Sequence, residues 1–374
     1  MPYYFPLKYN FNQEERERAA HNLLALRSQI KEEIPSRTTD ESLLLATWNL
    51  RDFDSNKFKH GPRLKESFFY IAETIAAFDM IALQEVNEDL TALNMLMRIL
   101  GPNWDCISTD KTEGVSGNSE RMTFVFDKRK VRFQKIAGEI VLPLGKLVEG
   151  DRQFARTPFL VAFQSGWFKF MLCTVHIYYG SDTGARLERR IAEIEAIARF
   201  LSNRADDESA NYILLGDFNI ISPEHQTMQA LESNGFIVPE GLSASNIKLD
   251  KYYDQIAFKS RLGQVQFSGR SGVFNPYRSI FNADQREIYY PLMRNRDILE
   301  LDESGVAHDT PANRDYYLDT WRTFQLSDHL PMWVELKIDF SEKYLLDMVT
   351  PSFGFQAQPG EHPLSFSMPE LETL

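Results

Sequence analysis

Four short apolar runs in this chain are each bounded by a carboxylate or an amide: "LLLATWNL" by Asn49, "MIALQEV" by Glu85, "YILLGDFN" by Asp217 and Asn219, and "YYDQIAF" by Asp254. Runs of this length, rich in Leu, Ile and Val, read as buried strands. Between them lie stretches with helical spacing. "LKESFFYIAETIAAF" puts Leu64, Phe68, Ile71 and Ile75 on one stripe, and a later stretch aligns Leu187, Ile191, Ile194 and Leu201. Strands alternating with amphipathic helices predict an α/β layered fold. "MTFVFD" adds a strand, and "FLVAFQSGWFKFMLCTVHI" reads as a hairpin turning near Gly166, so the sheets are mixed rather than a plain βαβ repeat.

The flanks differ from this centre. Residues 1–41 form a helical extension, with Ala20, Leu23, Leu24, Ile30 and Ile34 spaced as one helix face within 11–34. The catalytic domain is expected over 42–340, with an insertion at about 260–325 where periodicity fades, placed as a lid or substrate wall over one rim. Residues 341–374 are expected to be a C-terminal arm, extended along the body or partly disordered. The net charge of −12 argues against a surface that coats nucleic acid non-specifically, so an anionic substrate must meet local positive charge or bound cations. Cys106 and Cys173 form no metal-binding pattern and read as small core residues. No basic start with an apolar stretch behind it and no 18-residue apolar run is found, so the expectation is a cytoplasmic protein without disulfides or a membrane partner. No protein partner can be deduced.

Acids gathered at strand ends repel one another, and a cation makes such a cluster tolerable. Carboxylates and amides without thiolates are hard oxygen ligands, suited to Mg²⁺, with Mn²⁺ or Ca²⁺ as substitutes. "QLSDHLPMWVEL" adds Asp328 and His329 before a strand, and "FMLCTVHI" ends on His176. A Ser-Asp-His-Leu-Pro turn alone has a structural explanation. Two imidazoles among acids at strand ends point instead to hydrolysis at phosphorus.

In order along the chain, "TWNL", "LQEV", "GDFN", "YDQI" and "SDHLP" resemble the endonuclease/exonuclease/phosphatase superfamily over roughly 42–339, most closely its deoxyribonuclease I-like branch. "SERMTFVFD" with Glu120 and "FARTPFLVAF" with Arg156 favour that branch. The resemblance implies a four-layer α/β/β/α sandwich, two mixed sheets flanked by helices. It implies Glu85, Asn49, Asp328 and Asp217 as metal ligands. Asp217 and Asn219 would position water and the scissile phosphate. Asp254 would orient His329, Glu120 would orient His176, and Arg156 would support the site or contact phosphate. The implied function is divalent-metal-dependent phosphodiester hydrolysis by an endonuclease acting on DNA, with RNA as a second substrate. The alternative is a phosphodiesterase or phosphatase acting on a small-molecule or lipid phosphate ester. Asn87 and Asn118 stand where deoxyribonuclease I has a groove-entering arginine and, nearby, a sugar-contacting tyrosine, and its disulfides are missing. The Trp, Cys and Arg that inositol polyphosphate phosphatases place around "YYDQIAF" are also missing. For substrate contact the basic loop "RDFDSNKFKHGPRLK" offers Arg51, Lys57, Lys59, Arg63 and Lys65, and Arg186, Arg189 and Arg190 form a second basic group.

Overall fold

A computed structural model describes residues 1–111, 119–148, 152–208, 210–259, 267–294 and 297–349; Asn118 and residues 350–374 of the expected arm lie outside them. Eleven strands are described: β1 Ser42–Phe53, β2 Met80–Asn87, β3 Trp104–Ser108, β4 Glu120–Asp127, β5 Val131–Glu139, β6 Phe159–Ser165, β7 Phe168–His176, β8 Tyr212–Asp217, β9 Asp254–Lys259, β10 Phe267–Val273 and β11 Met332–Lys337. They form a six-stranded sheet ordered β10-β11-β1-β2-β4-β3 and a five-stranded sheet ordered β5-β6-β7-β8-β9. The helices include α1 Phe5–Asn10, α2 Gln13–Glu33, α3 Lys65–Ala76, α4 Thr91–Leu100, α5 Gly184–Glu208 and α6 Gln226–Glu232. Both sheets are mixed. β1 and β2 pair in parallel across α3, and β7 and β8 pair in parallel across α5, because a parallel pair needs a helical crossover. The remaining neighbours are antiparallel, with the β6–β7 hairpin turning through Gly166.

β1 is buried along almost its whole length, as a central strand between two layers must be. Its alternate residues Leu44, Ala46, Trp48 and Leu50 join α2, α3 and α4 in one apolar core. Thr47 and Asn49 therefore face the other sheet, where Gln84 donates to Thr47 at 3.1 Å and to Thr174 of β7 at 2.9 Å. Phe124 stacks on Phe159 across the same interface, with ring centroids 5.5 Å apart. Outside the five-stranded sheet, Ile194, Ile197 and Leu201 of α5 and Leu231 of α6 pack with Cys173 and Leu214. The result is the expected α/β/β/α sandwich.

Three sequence expectations change. In α2 the buried positions are Ala19, Asn22, Leu23, Leu26 and Gln29, while Leu24 is exposed, because the polar contacts of Asn22 set the helix rotation. Asn22 donates to the hydroxyls of Tyr70 (3.1 Å) and Tyr289 (3.0 Å). The described part of the insertion is no free lid: β10 extends the six-stranded sheet, and Tyr277, Phe281, Tyr289 and Trp321 enter the core shared with α2 and α3. Its aromatic residues hid the period because they pack from short irregular turns. A separate unit begins at Phe340, and its described part, Ser341–Val349, is a helix rather than extended chain.

Candidate active site

Strand register alone assembles half of the site. In the five-stranded sheet, His176 lies opposite Asp217 in the parallel β7–β8 pair, and Asp217 lies opposite Asp254 in the antiparallel β8–β9 pair. Gly216 makes this possible: at φ +130° it runs so close to β7 that a Cβ would overlap the Val175 carbonyl oxygen. From the facing sheet, Asn49 donates to Asp217 Oδ2 at 3.1 Å and to Glu85 Oε1 at 3.0 Å.

Backbone irregularities aim the rest. The β1–β2 register shifts between Asn49 and Phe53, and the β2–β4 register shifts between Leu83 and Val86, on either side of Glu85. Arg51, Asp52, Glu85 and Asn219 all have left-handed φ, at 41°, 49°, 59° and 54°. Such conformations in residues other than glycine are held only where the surroundings over-determine them, and they cluster at functional sites. Here the Asp52 N–H donates to Glu85 Oε2 at 2.8 Å, the Arg51 N–H to Asn49 Oδ1 at 2.9 Å, and the Asn219 N–H to Asp217 Oδ1 at 2.9 Å.

Two carboxylate–imidazole pairs converge on Asp217. His329 Nδ1 lies 2.7 Å from Asp254 Oδ2, and His176 Nδ1 lies 2.9 Å from Glu120 Oε1. Arg156 is buried and ion-pairs with the same Glu120 carboxylate. The opposite nitrogens face one oxygen: His176 Nε2 is 3.4 Å and His329 Nε2 is 3.7 Å from Asp217 Oδ2. Ser245 also donates to Asp254 Oδ2, at 2.6 Å, and receives the Asp254 N–H at 3.0 Å.

The two imidazoles differ in charge. Burial and the Arg156 guanidinium bring His176 down to about 4, against the opposing pull of Asp217 and Glu85. Burial also works against a charged His329, yet Asp254 and Asp217 raise it well above the ordinary histidine value. Burial pushes Asp217 up, with His329 and His176 opposing and Asp254 reinforcing. For Glu85, burial is outweighed by His176, the Asn49 hydrogen bond, the Asp52 N–H and His329, which hold it at about 2.

Two groups here could hold a metal ion: Glu85, Glu120 and His176, and Asp217, Asp254 and His329. The donors fit a hard divalent cation, since buried carboxylates gather there and thiolates do not. Asp254 Oδ1 is buried without a hydrogen-bond partner among the described residues, a polar atom left in want of a partner.

Of the residues singled out in the sequence, Asn49, Glu85, Glu120, Arg156, His176, Asp217, Asn219, Asp254 and His329 come together. Asn219 is a brace rather than an open ligand at its amide nitrogen, which donates to the Ile177 carbonyl at 2.8 Å. The Asp328 carboxylate, 39% exposed, pairs with Arg51 at 3.5 Å. Arg63 cannot meet a substrate phosphate. It is buried, and its guanidinium donates to the carbonyls of Leu50, Arg51, Asp52 and Leu326. Arg190 is buried in the same manner, donating to the carbonyls of Tyr179, Ser181 and Asn219, and Arg189 pairs with Glu193 at 3.0 Å. Lys57 and Lys59 are exposed. Ser245, in "GLSASN", and Tyr253, whose ring centroid is 5.5 Å from that of His329, carried no signal of their own.

No family profile matches this sequence, and no curated protein does. Among solved structures, the chain is similar to an endonuclease/exonuclease/phosphatase family protein from Bacteroides thetaiotaomicron, at 17% identity over 80% of this chain and 98% of that one, with a TM-score of 0.50. It is also similar to a mannosyl-6-phosphatase of Bacteroides thetaiotaomicron VPI-5482 (16% identity, 79% and 99% covered, TM-score 0.48). A third is the human Nocturnin catalytic domain with bound sulfate (14% identity, 79% and 93% covered, TM-score 0.49). At these identities the likeness is one of fold.

Proposed function

We propose that this chain, which has the endonuclease/exonuclease/phosphatase fold, is a divalent-metal-dependent phosphodiester hydrolase, and that its substrate is nucleic acid, DNA ahead of RNA. The observation that carries this is the convergence of His176 Nε2, His329 Nε2 and Asn49 Nδ2 on Asp217 Oδ2, with each imidazole held from behind by its own carboxylate.

Glu85 and Asp217, bridged by Asn49, would hold the cation, while Glu120 and Asp254 hold the two imidazoles. When bound, Mg²⁺ neutralises the phosphate ester and stabilises charge on the phosphoryl oxygens. The chain's own groups do the rest. His176, neutral, can take a proton at Nε2 while Glu120 fixes its ring through Nδ1. His329, cationic, presents an Nε2–H to the negative charge that develops at phosphorus. Asp217 stands between them, where an attacking water can be oriented, and Asn219 fixes its other oxygen. The outer partners of the imidazoles are positioning residues.

The test is cleavage of supercoiled plasmid with Mg²⁺ or Mn²⁺, run beside single-stranded RNA and a chromogenic bis-aryl phosphodiester, with EDTA and Asp217→Ala as controls. Metal-dependent nicking lost in Asp217→Ala is the expected result. Hydrolysis of the small diester with intact plasmid and RNA would move the substrate to a small-molecule or lipid ester and keep the mechanism.

A further inference from the structure

We infer that the loop between β1 and α3 seats an unpaired nucleobase of the substrate on Phe58, next to the scissile phosphate. This rests on the nuclease reading above and narrows it to a strand whose base faces are open.

Phe58 is 52% exposed between Lys57 and Lys59, in a loop that enters straight from the metal-site strand. An exposed aromatic ring there has no role in the core. The loop beneath it is anchored: His60 stacks on Phe324, with ring centroids 4.4 Å apart, and its Nδ1 lies 2.9 Å from the Tyr316 hydroxyl. Phe58 leans on the same Phe324 at 5.6 Å. The Arg51 guanidinium lies 4.1 Å from the Phe324 centroid and reaches to 3.5 Å from Asp328, the neighbour of His329. Phe58, Phe324, Arg51 and Asp328 thus form a continuous row leading to the reacting imidazole.

The row sets two rings beside the Arg51 guanidinium, and Lys57 and Lys59 flank the outer ring, the combination that single-stranded nucleic acid selects: bases stack on aromatic faces while phosphates track positive charge. In a chain of net charge −12, the local group Arg51, Lys57 and Lys59 is what draws a polyanion to this rim. Lys57 Nζ lies 5.1 Å from the Phe58 centroid and 3.7 Å from the buried Asp52 carboxylate, long contacts that the exposed lysine can exchange for a phosphate as a base arrives. A duplex stacks its bases on one another and offers Phe58 no face.

The experiment is a cycle between Phe58 and the base. Wild-type, Phe58→Ala and Phe58→Trp are compared on a single-stranded oligodeoxynucleotide with one preferred cut, on versions carrying an abasic nucleotide at each position around the cut, and on the duplex. For the wild type, one abasic position is expected to lower kcat/KM by about 5- to 150-fold. Phe58→Ala should lose a similar factor on the parent strand and show no further loss at that abasic position, whereas Phe58→Trp should keep the base dependence. Losses that multiply, or a Phe58→Ala enzyme that cuts the single strand as the wild type does, overturn the stacking seat and leave the nuclease reading standing. If the wild type leaves every oligonucleotide intact while hydrolysing a small diester, the nucleic-acid reading falls, and the seat with it.

Discussion

His176 and His329 are the same side chain in opposite electrostatic settings. Each has a carboxylate behind it and Asp217 before it, but Arg156 stands beside the first, and Asp254 and Asp217 dominate the second. That difference assigns the roles proposed above, and the residues can be separated by substitution. His329→Ala should lower phosphodiester hydrolysis by about 10²- to 10⁴-fold, the usual weight of one acid–base group, while fold and divalent affinity are retained. Glu85→Ala should instead act through the cation, weakening Mn²⁺ binding measured by calorimetry and lowering hydrolysis with it. If His329→Ala hydrolyses at the wild-type rate, or Glu85→Ala binds the cation unchanged, the assignment is wrong. His176, together with the Asn49 and Asp52 N–H groups that hydrogen-bond the charged form, keeps Glu85 ionised against burial.

At the scale of elements, what was legible in the sequence was each strand with its polar end. The runs ending at Asn49, Glu85, His176 and Asp217 are β1, β2, β7 and β8, because apolar length and turn-forming flanks are local properties. What was hidden is what non-local contacts decide. Nothing in "RDFDSNKFKHGPRLK" says that Arg63 turns inward, since its four carbonyl partners include Leu326, far along the chain. Nor could Leu24 be told from Leu23 until Tyr289 fixed the rotation of α2 through Asn22. Arg63 and the exposed lysines of this loop therefore part in their effects. With Lys57 and Lys59 replaced by Ala, the slope of log kcat/KM against log salt should flatten by about 1 to 2 units on an oligonucleotide, since each lost phosphate contact removes about 0.7 to 0.9. Arg63→Ala should instead leave the slope alone and lower the stability to urea by about 3 kcal/mol or more, because it strips four carbonyls and leaves Asp54 without its guanidinium. A salt slope that responds to Arg63 and not to the lysines would reverse this division.

For the larger unit as a whole, the site depends on strand ends held at fixed heights, and one buried ion network does this at the end of the six-stranded sheet where β1 begins. Arg37, in the segment joining α2 to β1, bonds Asp79 and Asp127, each at 2.6 Å. Lys130 reaches Asp79 at 2.9 Å, and Asp79 also accepts the Leu44 N–H at 2.9 Å. The N-terminal helices, β1, β2 and β4 are thereby tied at one point, and both aspartates are fully buried. Burial favours a neutral Asp127, but the hydrogen bonds from Arg129 and Arg37 outweigh it and hold the carboxyl far below its usual range. The folded state therefore binds fewer protons there than the unfolded chain. The stability this supplies is fully present above the unfolded aspartate value of about 3.9 and is lost as pH falls through it toward the folded value. Asp127→Asn should cost about 1 to 3 kcal/mol near neutrality, by leaving Arg129 without its carboxylate and Arg37 with Asp79 alone. Because the variant has no proton to take up at this position, the gap between it and the wild type should narrow in urea unfolding as pH drops from 5 to 3. A gap that stays constant over that range would mean that the acid sensitivity of the sandwich arises at other carboxylates.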